Sequence, residues 1–306
     1  MKFPALKIPF QARSLAARRG FRLAAYLNIA TAVLLAATAL AAPAQAEEWT
    51  KSYTVSGRPQ VRVQTNDGAV RVLTADSKQV EIRVEYHGYE LNKNLRIDSR
   101  QEGDRVELDA RLTSRFCIFC VNINRGLRIE VRMPRNADLT VESGDGSVET
   151  QALEGHLDIH TSDGHITVQG AKGEIRLRTG DGAIEASDVD GSMEATTGDG
   201  HIRMEGRFDA LNLKTGDGSI QARINAGSKM AAPWNIHTGD GSVDLTLPDG
   251  FQANLEADTR DGRISLGFPI TVEGGFTTSQ IHGKLNGGGQ ALTIHTGDGA
   301  IRLGRA

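Results

Sequence analysis

Residues 179–202, TGDGAIEASDVDGSMEATTGDGHI, contain one full period of the pattern that decides the fold. The motif Thr-Gly-Asp-Gly opens this stretch at Thr179 and returns at Thr197. Between the two copies, apolar side chains stand at alternate positions, as at Ile184 and Ala186. Alternation with a period of two between glycine-bearing turns is typical of β-strands and not of helices.

The pattern extends from Gly146 to Ile224 as a nine-residue repeat in which Asp209 is the single interruption. Turns that resemble Thr-Gly-Asp-Gly alternate with looser turns such as Lys172-Gly173. A fixed period of this kind is typical of a solenoid, and two alternating turns predict two strands in each coil of about 18 residues. The glycines that define the main turns are Gly146, Gly164, Gly182, Gly200 and Gly218.

We therefore predict an all-β fold, namely a flattened two-sheet β-solenoid of parallel stacked strands. Strands stack about 4.8 Å apart and facing sheets lie about 10 Å apart, so the interior is narrow and filled by side chains. Such an interior has no room for a cofactor or a substrate, and we expect none there. Function is predicted on the outer faces, the turn edges or the ends of the stack.

Residues 1–46 have the features of a signal peptide. Six cations and no acids precede an apolar run from Leu23 to Ala42, and Ala44-Gln45-Ala46 offers small residues for cleavage. Cleavage would leave no stable membrane span, whereas an uncleaved anchor is the alternative. Arg18-Arg19 also resembles a twin-arginine signal, so ordinary secretion and the twin-arginine route both stay open. The mature protein is expected in the periplasm, on the cell surface or secreted.

The rest of the chain is expected to form one β-solenoid domain, residues 47–306. It carries 29 cations and 38 acids, a net charge of −9, which argues against a nucleic-acid partner. Residues 47–140 are predicted to form irregular first coils and a cap with a hairpin from Leu95 to Leu112, and residues 141–306 the regular Gly-Asp-Gly repeats. The segments 225–234 and 272–289 are expected to be loops at the edges.

A resemblance to a known family follows from several of these segments together. They are LRIEVRMPRNADL at 127–139, the repeated Thr-Gly-Asp-Gly followed by an apolar residue, and GKLNGGG at 283–289. Over about residues 49–303 the chain resembles the bacterial β-strand-repeat family of unknown function that is described as an adhesin family. The resemblance implies an all-β fold and a non-enzymatic protein, and the family offers no catalytic residues to transfer.

The aspartates of the main turns form a predicted column at one edge of the stack. Neighbouring carboxylates about 4.8 Å apart repel by only ~1 kcal/mol in water, so an exposed column is tolerable. The simplest interpretation is a turn in which Asp bonds local amides and Gly supplies a positive φ. The alternative is a calcium ladder, since carboxylates and carbonyls are ligands for Ca²⁺. The candidate calcium ligands are Asp145, Asp163, Asp181, Asp199 and Asp217.

Cys117 and Cys120 form the one motif with a redox alternative. Catalytic Cys-x-x-Cys pairs open a helix, whereas the flanks here look extended. One pair cannot complete a zinc site, and in an oxidising compartment a small disulfide between Cys117 and Cys120 is the expected outcome.

The functional hypothesis is a non-enzymatic exported protein whose charged outer face binds an unknown envelope protein or polymer, or acts as a scaffold. A calcium-stabilised repeat protein is one alternative. A polysaccharide-cleaving β-helix enzyme is another, although only Phe208 offers an aromatic platform between Val148 and Met230.

Overall fold

Every regular element that this computed structural model describes is a β-strand, as the alternation predicts. The structure describes residues 46–113, 125–272 and 277–306, and residues 46–306 form one compact unit. The strands in chain order are β1 (Glu47–Thr54), β2 (Gln60–Thr65), β3 (Ala69–Ala75), β4 (Gln79–His87), β5 (Leu95–Glu102), β6 (Arg105–Leu112), β7 (Gly126–Pro134), β8 (Asp138–Ser143), β9 (Val148–Gln151), β10 (Glu154–Thr161), β11 (Ile166–Gln169), β12 (Lys172–Thr179), β13 (Ile184–Thr196), β14 (Ile202–Lys214), β15 (Ile220–Ile224), β16 (Trp234–Thr238), β17 (Val243–Leu247), β18 (Ala253–Thr259), β19 (Ile264–Leu266), β20 (Thr271–Val272), β21 (Gln280–Leu285), β22 (Ala291–Thr296) and β23 (Ile301–Arg305).

The predicted length of the repeat is confirmed by the strand register. In the parallel pair β10–β12, Leu157 lies opposite Ile175 and Thr161 lies opposite Thr179. Each repeat therefore stacks on the previous one in phase, so that like residues stand above like residues and apolar side chains stay on one side.

Strand pairing follows two ladders, which we call ladder 1 and ladder 2. Strands β13 and β14 run through the looser turn and belong to both ladders, so all strands form one continuous sheet. The order in ladder 1 is β5, β6, β2, β8, β10, β12, β13, β14, β16, β22, β18, β21, β20. The order in ladder 2 is β1, β4, β7, β3, β9, β11, β13, β14, β15, β17, β23, β19.

Chain order and stacking order differ at both ends of the described stack. Strands β2 and β3 lie between β6–β7 and β8–β9. At the other end, the final strands β22 and β23 lie between β16–β17 and β18–β19. The sequence predicted neither insertion, because every rung carries nearly the same turn and alternation and can accept several neighbours.

Ladder 1 finishes in antiparallel strands at both ends, and ladder 2 at one end, whereas β19 at its other end pairs parallel with β23. This corrects the prediction that the strands outside the hairpin stack in parallel. Strands β1 and β4 pair antiparallel, and β5 and β6 form the predicted hairpin with Leu95 opposite Leu112. At the other end β21 pairs antiparallel with β18. The prediction that 272–289 is only a loop was therefore wrong, because Gln280–Leu285 alternates buried and exposed side chains and is a strand.

The core is a column of buried side chains inside the ladders, mostly Val, Ile, Leu and Ala. Among the described residues, the two largest fully buried side chains, Trp234 and Phe208, contact each other edge-on at 6.5 Å between ring centroids, and Trp234 lies 5.2 Å from the Phe251 ring. Asp209, which interrupts the nine-residue period, is the extra residue at a register shift between β13 and β14. A β-bulge therefore interrupts the register next to the large Phe208 ring.

Two sets of predicted residues lie outside the described part of the chain. They are the targeting segment up to residue 45 and the disulfide candidates Cys117 and Cys120. The signal peptide and the disulfide therefore stay predictions. No helix in the described part is long and apolar enough to cross a membrane.

Candidate functional site

The buried threonines of the main turns have a structural role. Each hydroxyl donates a hydrogen bond to a glycine carbonyl of the adjacent turn, and at most turns it also accepts one from the glycine amide three residues later, as in Gly182 to Thr179 at 3.2 Å. These hydroxyls are therefore occupied and shielded from solvent, which excludes them as nucleophiles. The donor bonds run from Thr161 to Gly146 (3.4 Å), Thr179 to Gly164 (3.0 Å), Thr197 to Gly182 (2.8 Å), Thr215 to Gly200 (2.9 Å), Thr238 to Gly218 (2.8 Å), Thr296 to Gly241 (2.7 Å) and Thr259 to Gly299 (2.9 Å).

The main turns need glycine because adjacent turns approach each other too closely for a Cβ atom. The sequence analysis had instead assigned these glycines a positive φ, which the structure corrects. A Cβ on Gly182 would lie 2.0 Å from the carbonyl oxygen of Gly164 in the preceding turn. A positive φ belongs instead to the looser turns, for example 119° at Gly173. The same close approach holds for the other predicted turn glycines, with Cβ-to-oxygen distances of 1.8 Å at Gly146, 2.1 Å at Gly164, 2.0 Å at Gly200 and 2.0 Å at Gly218.

The turn aspartates form an exposed column along this edge. The predicted bond from a local amide to the turn aspartate is present in the early turn, where the Gly68 amide donates to Asp67 Oδ1 at 2.6 Å. The hydrogen bonds of the described residues show no such bond at the five predicted aspartates, so that part of the prediction stays untested there. Within the described ranges no group of three or more His, Cys, Asp or Glu side chains could hold a metal ion. The structure therefore gives the calcium hypothesis no preformed cage. The exposed members of the column include Asp145, Asp163, Asp181, Asp199 and Asp217.

The outer face of ladder 1 carries a row of paired charges, which the 18-residue coil brings together. Asp158, Arg176 and Glu194 occupy one register position on successive strands. Arg176 Nε lies 3.2 Å from Glu194 Oε2, and Arg178 Nη2 lies 3.1 Å from Glu194 Oε1. Burial alone would raise the pKa of Glu194, but the hydrogen bonds from both arginines outweigh it and hold that pKa below its usual value.

A second outward row on ladder 1 carries basic side chains. His160 lies opposite Arg178, and Lys214 lies opposite His237. The structure extends this row through His295, which no local sequence signal linked to it, because β22 enters the stack out of chain order. The guanidinium of Arg178 turns to Glu194 and not to the aspartates of the neighbouring turns.

The outer face of ladder 2 contains a groove of about 440 Å³ that the sequence analysis missed. Its floor is the strand backbone at Ala186, Met204 and Ala222, whose side chains are buried and point inward, and its walls are the outward side chains on either side. The alternation pattern predicts that the wall residues face outward, but nothing further in the sequence singles the groove out. The polar side chains that line it are Thr167, Glu185, Ser187, Arg203, Glu205, Gln221, Arg223, Asp244 and Thr246.

The groove walls are held in place by bonds between neighbouring strands. Arg203 Nη1 lies 3.3 Å from Glu185 Oε1, and Arg203 Nε donates to Gln221 Oε1 at 3.1 Å. Arg223 forms no ion pair within the described residues, so its guanidinium is available to another molecule. Five consecutive strands thus present an ordered polar surface with both charge signs, which suits binding better than a reaction that needs a buried base.

Comparisons with known proteins agree with this fold. The family model described as Toastrack DUF4097 matches residues 59–304, and no curated protein matches the chain. A candidate lipid-binding protein from Parabacteroides distasonis shares 12% identity over 84% of this chain and 96% of that chain, with a TM-score of 0.47. A candidate adhesin from Parabacteroides merdae shares 11% identity over 84% and 96%, with a TM-score of 0.45.

A candidate adhesin from Bacteroides fragilis shares 12% identity over 86% of this chain and 99% of that chain, with a TM-score of 0.41. These structural likenesses are too low to support a function. The family match supports family membership, because it covers the stacked repeats from β2 to β23. The chain belongs to the Toastrack DUF4097 family, the β-repeat family that its sequence resembles.

Proposed function

We propose that this chain is an exported, non-catalytic β-repeat protein that binds an envelope protein or polymer through its outer faces. The supporting observation is the contrast between a filled interior and the ordered polar groove on ladder 2. We include in this proposal the flattened two-sheet cross-section, since strands in both ladders bury one side and expose the other. Solved structures of similar proteins are named as adhesins, which is consistent with a binding role.

The groove is proposed as the contact surface for that partner. Its long axis crosses strands β11, β13, β14, β15 and β17, so an extended chain could lie across about 19 Å of parallel strands at 4.8 Å spacing. Arg223 supplies an unpaired charge, whereas Arg203, Glu185 and Gln221 are already oriented by their mutual bonds. Preorganised side chains lose little conformational freedom on binding, which favours affinity.

The test is capture of a partner from an envelope extract by the mature protein and by matched variants. The double variant Arg203→Ala with Arg223→Ala should lose the captured partner. The control is Arg71→Ala, because Arg71 occupies the same outward register as Arg203 and pairs with Glu149 at 3.4 Å, but lies outside the groove. Capture that survives the double variant, or that fails equally in the control, would contradict the groove assignment.

Location separates adhesion from a periplasmic scaffold. Removal of the protein by protease added to intact cells would support adhesion, and protection would support a scaffold inside the envelope. Detection of the full chain only in the cytoplasm would overturn the proposed export. Replacement of Arg18-Arg19 by two lysines separates the export routes, because only the twin-arginine route needs that pair.

A further inference from the structure

Three basic side chains stand side by side on the outer face of ladder 1. Lys214 on β14, His237 on β16 and His295 on β22 share one register position. Neighbouring strands are about 4.8 Å apart, so this row runs along the stack with regular spacing. We call Lys214, His237 and His295 the basic row.

The rings of the basic row are ordered. The imidazoles of His237 and His295 stack at 5.0 Å between centroids with an angle of 4° between planes. His295 Nδ1 lies 2.5 Å from Asp258 Oδ2, a contact that fixes this ring and leaves its Nε2 for another partner. Lys214 is exposed and forms no ion pair within the part of the chain that the structure describes.

The charge around the basic row favours an anion. Among the described residues, Asp258 is the one carboxylate that pairs with a member of the basic row, which otherwise presents nitrogen groups. Partial desolvation, followed by the charges of His295 and Lys214, lowers the pKa of His237, and Asp258 opposes this shift. A carboxylate bound beside His237 would act against this lowering, as Asp258 does, and would favour the charged imidazole. The ammonium of Lys214 disfavours a metal cation at the same place.

The neighbouring outward position is polar and neutral on these three strands, and it becomes acidic at Glu194 and Glu256 on the strands at either side. Asn212, Asn235 and Thr293 lie at the neighbouring outward register position of the same strands. Amide and hydroxyl groups can hydrogen-bond to sugar hydroxyls. A surface with regularly spaced cations on one side and neutral donors and acceptors on the other fits a linear polymer that carries both acids and hydroxyls.

We propose that the basic row binds a linear polysaccharide with a carboxylate on each sugar, aligned along the stack and held most tightly under mildly acidic conditions. The site deepens the proposed binding function but lies on ladder 1, whereas the groove lies on ladder 2. Failure of one site therefore leaves the other testable.

The experiment is a binding titration of the mature protein with polygalacturonate at pH 5.5 and pH 7.5, with neutral dextran as the control polymer. Sugar carboxylates, like those of Asp, stay ionised at both values, whereas histidines titrate between them. We expect binding at pH 5.5 that weakens about tenfold at pH 7.5, which corresponds to about 1.4 kcal/mol. The double variant His237→Gln with His295→Gln should abolish this pH dependence, and Lys214→Gln should weaken binding at both values.

The matched control is His160→Gln, which removes an outward histidine at the same register position away from the basic row. This control should bind like the unmodified protein. Equal binding at both pH values, a pH dependence that survives the double variant, or tighter binding to inorganic polyphosphate than to polygalacturonate would overturn the proposal. Lys214→Gln keeps the test valid if the double variant does not fold, because Lys214 is exposed and outside the core.

Discussion

The regular middle of the stack and its two ends are built from the same repeat but assembled differently. In the middle, each strand pairs with its counterpart in the next coil along the chain, as Ile166 pairs with Ile184. At the ends, a rung from elsewhere in the chain is inserted, as Ile294 is between Ile236 and Ala257. The repeat therefore determines the shape of each rung, whereas the connections determine the order of the rungs.

The largest expected effect comes from removal of the inserted final rung, residues 291–306. In a stack that follows chain order, this deletion would shorten one end only. Here β16 and β18 lose the strand that both contact, so we expect residues 253–285 to detach as well. Limited proteolysis of the shortened chain should show rapid cleavage in 253–285. Continued protection would contradict this and mean that β16 and β18 can pair directly.

The second effect concerns the close approach between turns. Gly182→Ala places a Cβ 2.0 Å from the Gly164 oxygen, and we expect a loss of about 3 kcal/mol or more in the free energy of unfolding. At the C-terminal end, Gly267→Ala places its Cβ 3.3 Å from the Leu303 oxygen, and a loss within ~1 kcal/mol is expected. Denaturant unfolding of both variants measures the difference. Equal losses would show that the middle turns can move apart.

The third effect concerns the threonine hydroxyls. Their removal should lower the free energy of unfolding by a similar amount in the middle of the stack and at its end. Thr197→Val removes the bond to Gly182 at 2.8 Å, and Thr259→Val removes the bond to Gly299 at 2.9 Å. Each substitution leaves a carbonyl without its partner and should cost about 1–2 kcal/mol. Thr196→Val is the control, since this neighbouring side chain points outward. A much smaller loss at Thr259 would mean that the inserted end is held less tightly.

A smaller effect is expected from the surface ion pairs in the middle of the stack. Glu194→Gln removes the contacts with Arg176 and Arg178 and should cost about 0.2–1 kcal/mol, because these side chains are partly exposed. The folded-state pKa of Glu194 is lowered, so its contribution is present above the unfolded value near 4.5 and is lost as pH falls below it. Thermal unfolding of both proteins from pH 7 to pH 3 should therefore converge at the acidic end. A constant difference would exclude this linkage.

Near the C-terminal end of the stack, His237 also makes stability depend on pH, as Glu194 does in the middle. Because the pKa of His237 is lowered in the folded state, folding favours its neutral form. Stability is therefore unaffected above the unfolded value near 6.5 and decreases as pH falls below it. His237→Gln should remove this decrease, as measured by thermal unfolding between pH 7.5 and pH 5. A decrease that persists would assign it to another group.

Much of the candidate surface could be predicted from the sequence, for a simple reason. Side chains alternate across a strand, so a constant coil length brings Asp158, Arg176 and Glu194 into one outward row without further information. The groove on ladder 2 was missed because it forms between two outward rows of side chains on five strands at once. The alternation pattern records which side chains face outward but not the space that they leave between them.

The sequence by itself determined the strands, the rung length, the inward and outward faces and the turns that need Thr, Gly and Asp. These features follow from contacts within one repeat or with an identical neighbour. Only the tertiary structure decided where β2–β3 and β22–β23 enter the stack, which strands close the ends, and that His295 stands beside His237. Equivalent rungs present almost the same edges, so local sequence cannot select among neighbours. Chain connections and the fit of particular core side chains make that choice.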